Sequence, residues 1–344
     1  MKKKAIVFSL ILFAITLGLA IFLYVKNSHT NNTVRDEGAV QFSEKQNVEK
    51  PQEKSLVKLN YKFNPHVMSR EYVTVYGSDT EELFYNFCDA VLNVESTFKC
   101  PSTEKFKQVL EISRTCLPIA SCYIDRDKIF VQNGVGHIPY NVEKEDLKNK
   151  IKQFKEKVAS VISSAVPYKE DNCIMAMELL KAVANKNKFD EAGLSLENAL
   201  NLHPYRAIME DVGICQELSG EYTYYLLQIG INATTCSGLS KDKSSAHAWT
   251  IIELDGDHYH VDPTTTIDYK NSLAFFCLDD ERREQYGNFD RKNFSFADSP
   301  KVHYEINSKR FKDLWDAETY TIDRDNRKIH MKIFYSGKEK DFSY

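Results

Sequence analysis

Apolar residues run unbroken by charge from Ala5 to Val25, thin out over residues 26–57, and return from Leu59 onward at helix and strand spacings. The first run, at 1.5 Å per residue, makes a helix of about 31 Å, the thickness of a bilayer's hydrocarbon core. Three lysines (Lys2, Lys3, Lys4) precede it and Lys26 follows it, which predicts a cytoplasmic N-terminus and an outward-facing remainder. The small residues of Gly18-Leu19-Ala20 lie inside the run rather than after it, so an uncleaved single-pass anchor over 5–25 is expected; cleavage would make the protein secreted. Residues 26–57 are polar with few aromatics and read as a flexible stalk.

Beyond the stalk the pattern predicts a small α+β region over 58–143. Tyr72-Val73-Thr74-Val75-Tyr76 alternates like a strand, and Leu83, Phe84, Phe87, Val91 and Leu92 recur at helical spacing within 80–92. Ile119 to Val131 reads as two short strands around Asp125-Arg126-Asp127. Two amphipathic helices are expected over about 144–164 and 171–185, opening a second domain at 144–300, with C-terminal strands from 301–344 packed on it.

The 344 residues carry a net charge of −4, with 42% apolar and 27% charged positions. No basic surplus is available to replace counterions on a phosphate backbone, which excludes a nucleic-acid partner. Eight cysteines in an outward-facing chain suggest disulfides, among Cys88, Cys100, Cys116 and Cys122 for instance. The spacing leaves the pairing open, and a free Cys215 would leave an odd number behind.

Chemistry concentrates between Tyr205 and Thr264. Gly213-Ile214-Cys215 precedes a run in which Leu218, Tyr222, Tyr225, Leu226 and Ile229 share a face, with Gly230 at the place of a C-capping glycine. Cys215 therefore falls in the first helical turn, where unpaired N–H groups favour a thiolate. Ile231 to Ser237 reads as a strand. Asp255-Gly256 is a two-residue hairpin turn between strands 246–254 and 257–262. Counting outward puts Trp249 opposite Asp262 and His247 diagonal to it, within reach of an imidazole–carboxylate bond. Cys215 would then be the nucleophile, His247 the general base and acid, and Asp262 the group that holds the imidazole, with the Cys215 N–H as one oxyanion donor.

Tyr205-Arg206-Ala207, Gly213-Ile214-Cys215-Gln216, Ser237-Gly238, Ala246-His247-Ala248-Trp249 and Tyr259-His260-Val261-Asp262-Pro263-Thr264 together resemble the bacterial transglutaminase-like superfamily. The order is right, with 32 residues from Cys to His and 15 from His to Asp. The resemblance is firm over about 170–300. It implies an α+β, papain-like core: a Cys-bearing helix packed on an antiparallel sheet carrying His and Asp. It also implies a triad of Cys215, His247 and Asp262, substrate contacts from Gln216, Trp249 and Tyr205, and no cofactor or metal. Glu217-Leu218-Ser219 after Cys-Gln, and Thr265 where an aromatic residue is common, depart from the family pattern and bear on the groove rather than the triad.

The expectation is an envelope-anchored cysteine enzyme that transfers an acyl group from a Gln, Asn or peptide amide of a protein or wall peptide. The competing reading is an envelope binding module that keeps the fold without the chemistry. His258-x-His260 with Asp262 offers a weak metal alternative, and Asp279 to Glu284 reads as a solvated charge run.

Overall fold

The computed structural model describes residues 56–194 and 203–344, so the expected anchor over 5–25 and nearly all of the 26–57 stalk lie outside the described residues. Among the described residues no helix is long and apolar enough to cross a membrane.

The N-terminal part is more helical than its sequence pattern predicts. Tyr72–Tyr76, expected as a strand, lies in helix α1 (Glu71–Tyr76). Five residues are too few to separate the two periodicities, and the apolar residues the fold buries are the i, i+3 pair Tyr72 and Val75. Gly77, at φ +102°, ends the helix. Helix α2 (Thr80–Leu92) buries the expected Leu83, Phe84, Phe87 and Val91. After β1 (Thr97–Lys99), the Ser102 side chain accepts the Lys105 N–H and starts α3 (Thr103–Cys116). The first of the two strands expected around Asp125 is instead helix α4 (Pro118–Tyr123), with Pro118 in the first turn where its missing N–H costs nothing. The second exists as β2 (Phe130–Gln132), paired with β3 (Val135–His137), which also pairs with β1.

Helix α5 (Lys144–Ala165) buries one stripe, Leu147, Ile151, Phe154, Val158 and Ile162. Helix α6 (Asn172–Lys186) is capped by the Asp171 carboxylate on the Cys173 N–H. Two short parallel strands, β4 (Lys188–Phe189) and β5 (Val212–Gly213), flank α7 (Pro204–Glu210) and lead into α8 (Cys215–Gln228). Helix α8 is almost wholly buried and packs on the antiparallel strands β6 (Ala233–Leu239), β7 (Ala246–Leu254) and β8 (Asp257–Val261). Thr250 ties the two layers: its hydroxyl donates to the Ser219 carbonyl and meets the Thr223 hydroxyl.

The hairpin turns at Asp255-Gly256, both at positive φ, with Leu254 paired to Asp257 and Thr250 to Val261. After α9 (Pro263–Thr266), the chain returns along the outer edge of β8, where His260 and Leu278 exchange backbone hydrogen bonds. It then forms α10 (Asp280–Gln285). Strand β9 (Ser295–Phe296) closes the other edge, giving the order β8-β7-β6-β9. The C-terminal antiparallel sheet of β10 (Ala317–Asp323), β11 (Lys328–Ile333) and β12 (Glu339–Ser343) attaches through the Ala317 carbonyl, which accepts from the Leu273 N–H and the Ser272 hydroxyl. One hydrophobic core runs from Val67 to Met331, within a unit spanning Ser55–Tyr344. The arrangement is α+β.

Candidate active site

Helix α8 begins at Cys215 because Ile214 is extended and its carbonyl accepts the N–H groups of Glu217 and Leu218, both at 3.0 Å. The Cys215 and Gln216 N–H groups precede those bonds and stand at the positive end of the helix. Two buried acids fix this end in place. Glu217 accepts the Ile214 N–H and pairs with Arg206 through both carboxylate oxygens, while Arg206 also reaches Asp190 at 2.8 Å. One turn on, Glu221 pairs with Lys186 at 2.8 Å and Asn187 at 2.7 Å. Between them Gly220 allows Pro204 of α7 to rest on the helix, since a Cβ there would overlap the proline ring.

The thiol of Cys215 lies against the His247 ring and the backbone of Ala248, both on β7. His247 Nε2 lies 2.8 Å from Asp262 Oδ2, so Nδ1 is the nitrogen left for sulfur. Asp262 caps α9: Oδ1 accepts the Thr265 N–H at 3.0 Å, and Oδ2 accepts the Thr265 hydroxyl at 2.8 Å and Arg283 Nη1 at 3.1 Å. Thr265 thus helps to seat the carboxylate. The structure brings Cys215, His247 and Asp262 together on α8, β7 and the end of β8.

Their charges are mutually set. Burial opposes ionisation of Cys215, but the hydrogen bond and charge of His247 and the Ala248 N–H outweigh it and bring the thiol below its ordinary value. Burial opposes the imidazolium of His247 too, yet Asp262 and the Cys215 sulfur raise it to about 9. Asp262 is buried, which alone would favour its acid form, but His247, Arg283 and Thr265 hold it well below the usual carboxylate range. All three shifts run toward thiolate, imidazolium and carboxylate.

A layer of aromatic and charged groups backs the triad. Trp249 donates its indole N–H to His260 Nδ1 at 2.8 Å, and His260 Nε2 meets Asp280 Oδ1 at 2.9 Å. Indole nitrogen can only donate, so His260 is the neutral Nε2–H tautomer, donating to Asp280. Burial lowers the basicity of His260 accordingly. Trp249 and Phe289 both stack near His247, at 6.0 and 5.9 Å between ring centres, and Gly238 leaves room for the Trp249 and Phe294 rings above the sheet.

The Asp279–Glu284 segment is therefore not a solvated charge run. Asp279, Asp280 and Arg283 are buried, and Arg283 touches Asp262. The segment 279–285 contains no apolar residue, so periodicity had nothing to register; its burial depends on partners on β8 and at the β8–α9 junction.

The residues expected to contact substrate are placed differently from one another. Gln216 follows Cys215 at the open helix end, half-buried. Trp249 is 0% exposed and has no surface to offer a substrate; it forms the floor beneath His247. Tyr205 is 7% exposed, with its hydroxyl 3.1 Å from that of Tyr123 and its ring stacked on Phe154. These are core contacts. Both nitrogens of His260 are engaged, so the His258–His260 chelate is not built; His258 stacks on Tyr304 instead. All eight cysteines are unpaired thiols, and burial pushes the thiols other than Cys215 upward, that of Cys116 to about 12.

No family model and no curated protein matches the chain. Among solved structures it is similar to a transglutaminase (TGase), with 13% identity, 41% of this chain and 44% of that chain covered, and a TM-score of 0.30. It is similar as well to a protein from Cytophaga hutchinsonii described as a candidate cysteine protease, with 13% identity, 40% and 61% covered, and a TM-score of 0.26. The matched region spans less than two thirds of either chain. At such scores the likeness decides neither fold nor function, and the site stands on its own hydrogen bonds.

Proposed function

We propose that the chain is a cysteine-dependent acyl-transfer enzyme of transglutaminase-like, papain-like architecture, acting on an amide of a protein or peptide. The observation that carries the proposal is the His247–Asp262 pair at 2.8 Å, with Cys215 beside the imidazole at a helix N-terminus.

The thiolate of Cys215 adds to the amide carbonyl carbon, forming a C–S bond and an oxyanion. N–H groups at the start of α8 stabilise that oxyanion. The imidazolium of His247 passes its proton to the departing nitrogen as the C–N bond breaks, leaving a thioester and free amine or ammonia. Water or a second amine then gives a proton to His247 while attacking the thioester, and the thiolate is released. Asp262 keeps the imidazole oriented and stabilises its charged form. None of these steps calls on a metal or organic cofactor. The hydropathy of residues 5–25 supports placing the enzyme at the cell envelope, where a surface protein or wall peptide would be the substrate.

The test is iodoacetamide labelling of Cys215 in the full-length chain as a function of pH, read by mass spectrometry. The expected result is fast labelling at pH 6 that is lost in His247→Ala. Labelling that rises only near the ordinary thiol value of about 8.5, and ignores His247, overturns the proposal in favour of a binding module. Ammonia release or amine incorporation from glutamine peptides would then divide hydrolysis from amine transfer.

A further inference from the structure

Arg283 is 2% exposed, yet only its Nη1 is spent on a hydrogen bond, to Asp262 at 3.1 Å. Among the described residues its Nε and Nη2 have no hydrogen-bond partner. The guanidinium lies over the Trp249 ring at 4.2 Å and the Phe289 ring at 4.6 Å, the two rings that also stack against His247. Burying a cation with two idle donors is expensive, so its charge beside Asp262 is the feature to be explained. Without it, a desolvated carboxylate would grip the His247 proton more tightly, and that proton must leave for the amine during every turnover.

Resting on the acyl-transfer reading above, we propose that Arg283 is a positioning residue: its charge offsets part of the charge of Asp262, so that the carboxylate orients His247 without retaining its proton. The charged and titratable groups facing this pair are His247 on β7, Cys215 on α8, Cys236 on β6, His260 on β8 and Asp280 beside it on α10. Of these, His260 is held neutral by Trp249 and Asp280, burial pushes the Cys236 thiol up, and Asp280 is spent on His260 Nε2 and the Ile306 N–H, so Cys215, His247, Asp262 and Arg283 form a row of sulfur, imidazole, carboxylate and guanidinium.

The test is the pH profile of Cys215 labelling by iodoacetate, an anionic reagent that favours the thiolate–imidazolium form, in the full chain. In Arg283→Met both limbs are expected to move up by about one pH unit, and Arg283→Lys, which keeps the charge, should stay near the wild-type limbs. Arg283→Gln, neutral and of similar reach, should move both limbs in the same direction as Arg283→Met. It carries the test if Arg283→Met does not fold. Unmoved limbs in Arg283→Met, or in Arg283→Gln where it stands in, would overturn the proposal while leaving the enzyme reading intact. If wild-type Cys215 shows no low-pH reactivity at all, both fall.

Discussion

His247 and His260 sit on opposite strands of one hairpin, each beside a buried carboxylate at nearly the same distance, 2.8 Å to Asp262 and 2.9 Å to Asp280. The environment moves them in opposite directions, His247 up to about 9 and His260 down. The difference lies at the second ring nitrogen. That of His260 must accept the Trp249 N–H, and an imidazolium has no lone pair with which to accept. That of His247 faces a thiol that can surrender its proton. A His–carboxylate pair is therefore not a reactive unit in itself; what its far nitrogen meets decides whether it works as a base or as a strut.

The largest effect should separate the two residues. His247→Ala should cut Cys215 labelling at pH 6 by about a hundredfold or more, because an ordinary thiol is scarcely ionised there, and should lower stability by leaving the buried Asp262 with only Arg283 and Thr265. His260→Ala should spare the labelling while costing about 2–4 kcal/mol of stability by leaving the Trp249 N–H and Asp280 buried without their partner. A His260→Ala protein of wild-type stability that no longer labels would break the comparison.

Smaller effects sharpen it. Trp249→Phe frees His260 Nδ1, at a cost of about 1–3 kcal/mol, and should let His260 titrate closer to the ordinary value; ring-proton NMR would follow both histidines in one experiment. The pH dependence of stability separates them again. Below about 6.5 the unfolded chain protonates His260 while the folded chain does not, so stability should fall as acid is added. His203, which burial brings down to about 4, acts in the same direction. Stability of Asp262 origin is present above the ordinary carboxylate value of about 3.9 and lost in stronger acid, as the folded group is finally protonated. Thermal melts across this range check all three, and greater stability at pH 5 than at pH 7.5 would count against the account of His260. Smallest of all, Tyr205→Phe should cost only about 0.5–1.5 kcal/mol, measured by denaturant unfolding, for the lost Tyr123 contact.

Local pattern was enough wherever one element decides its own geometry. The 3.6-residue spacing gave α2, α5, α6 and the start of α8 at Cys215, and the Asp255-Gly256 turn set the register that puts His247 beside Asp262. A turn with two positive-φ positions admits one pairing, and alternation then assigns every side chain to a face. Local pattern misread α1 and α4, where short runs satisfy helix and strand spacing alike and packing chose the helix. It missed Asp280 and Arg283, and the resemblance made Trp249 a substrate contact, for one shared reason. Whether a charge or an indole faces solvent or the interior depends on residues distant in the chain, here the return of segment 275–285 along β8. The three reacting groups were legible because their spacing follows from a helix start and a hairpin; the buried cation and neutral histidine that set their charges exist only once the sheet edge is closed.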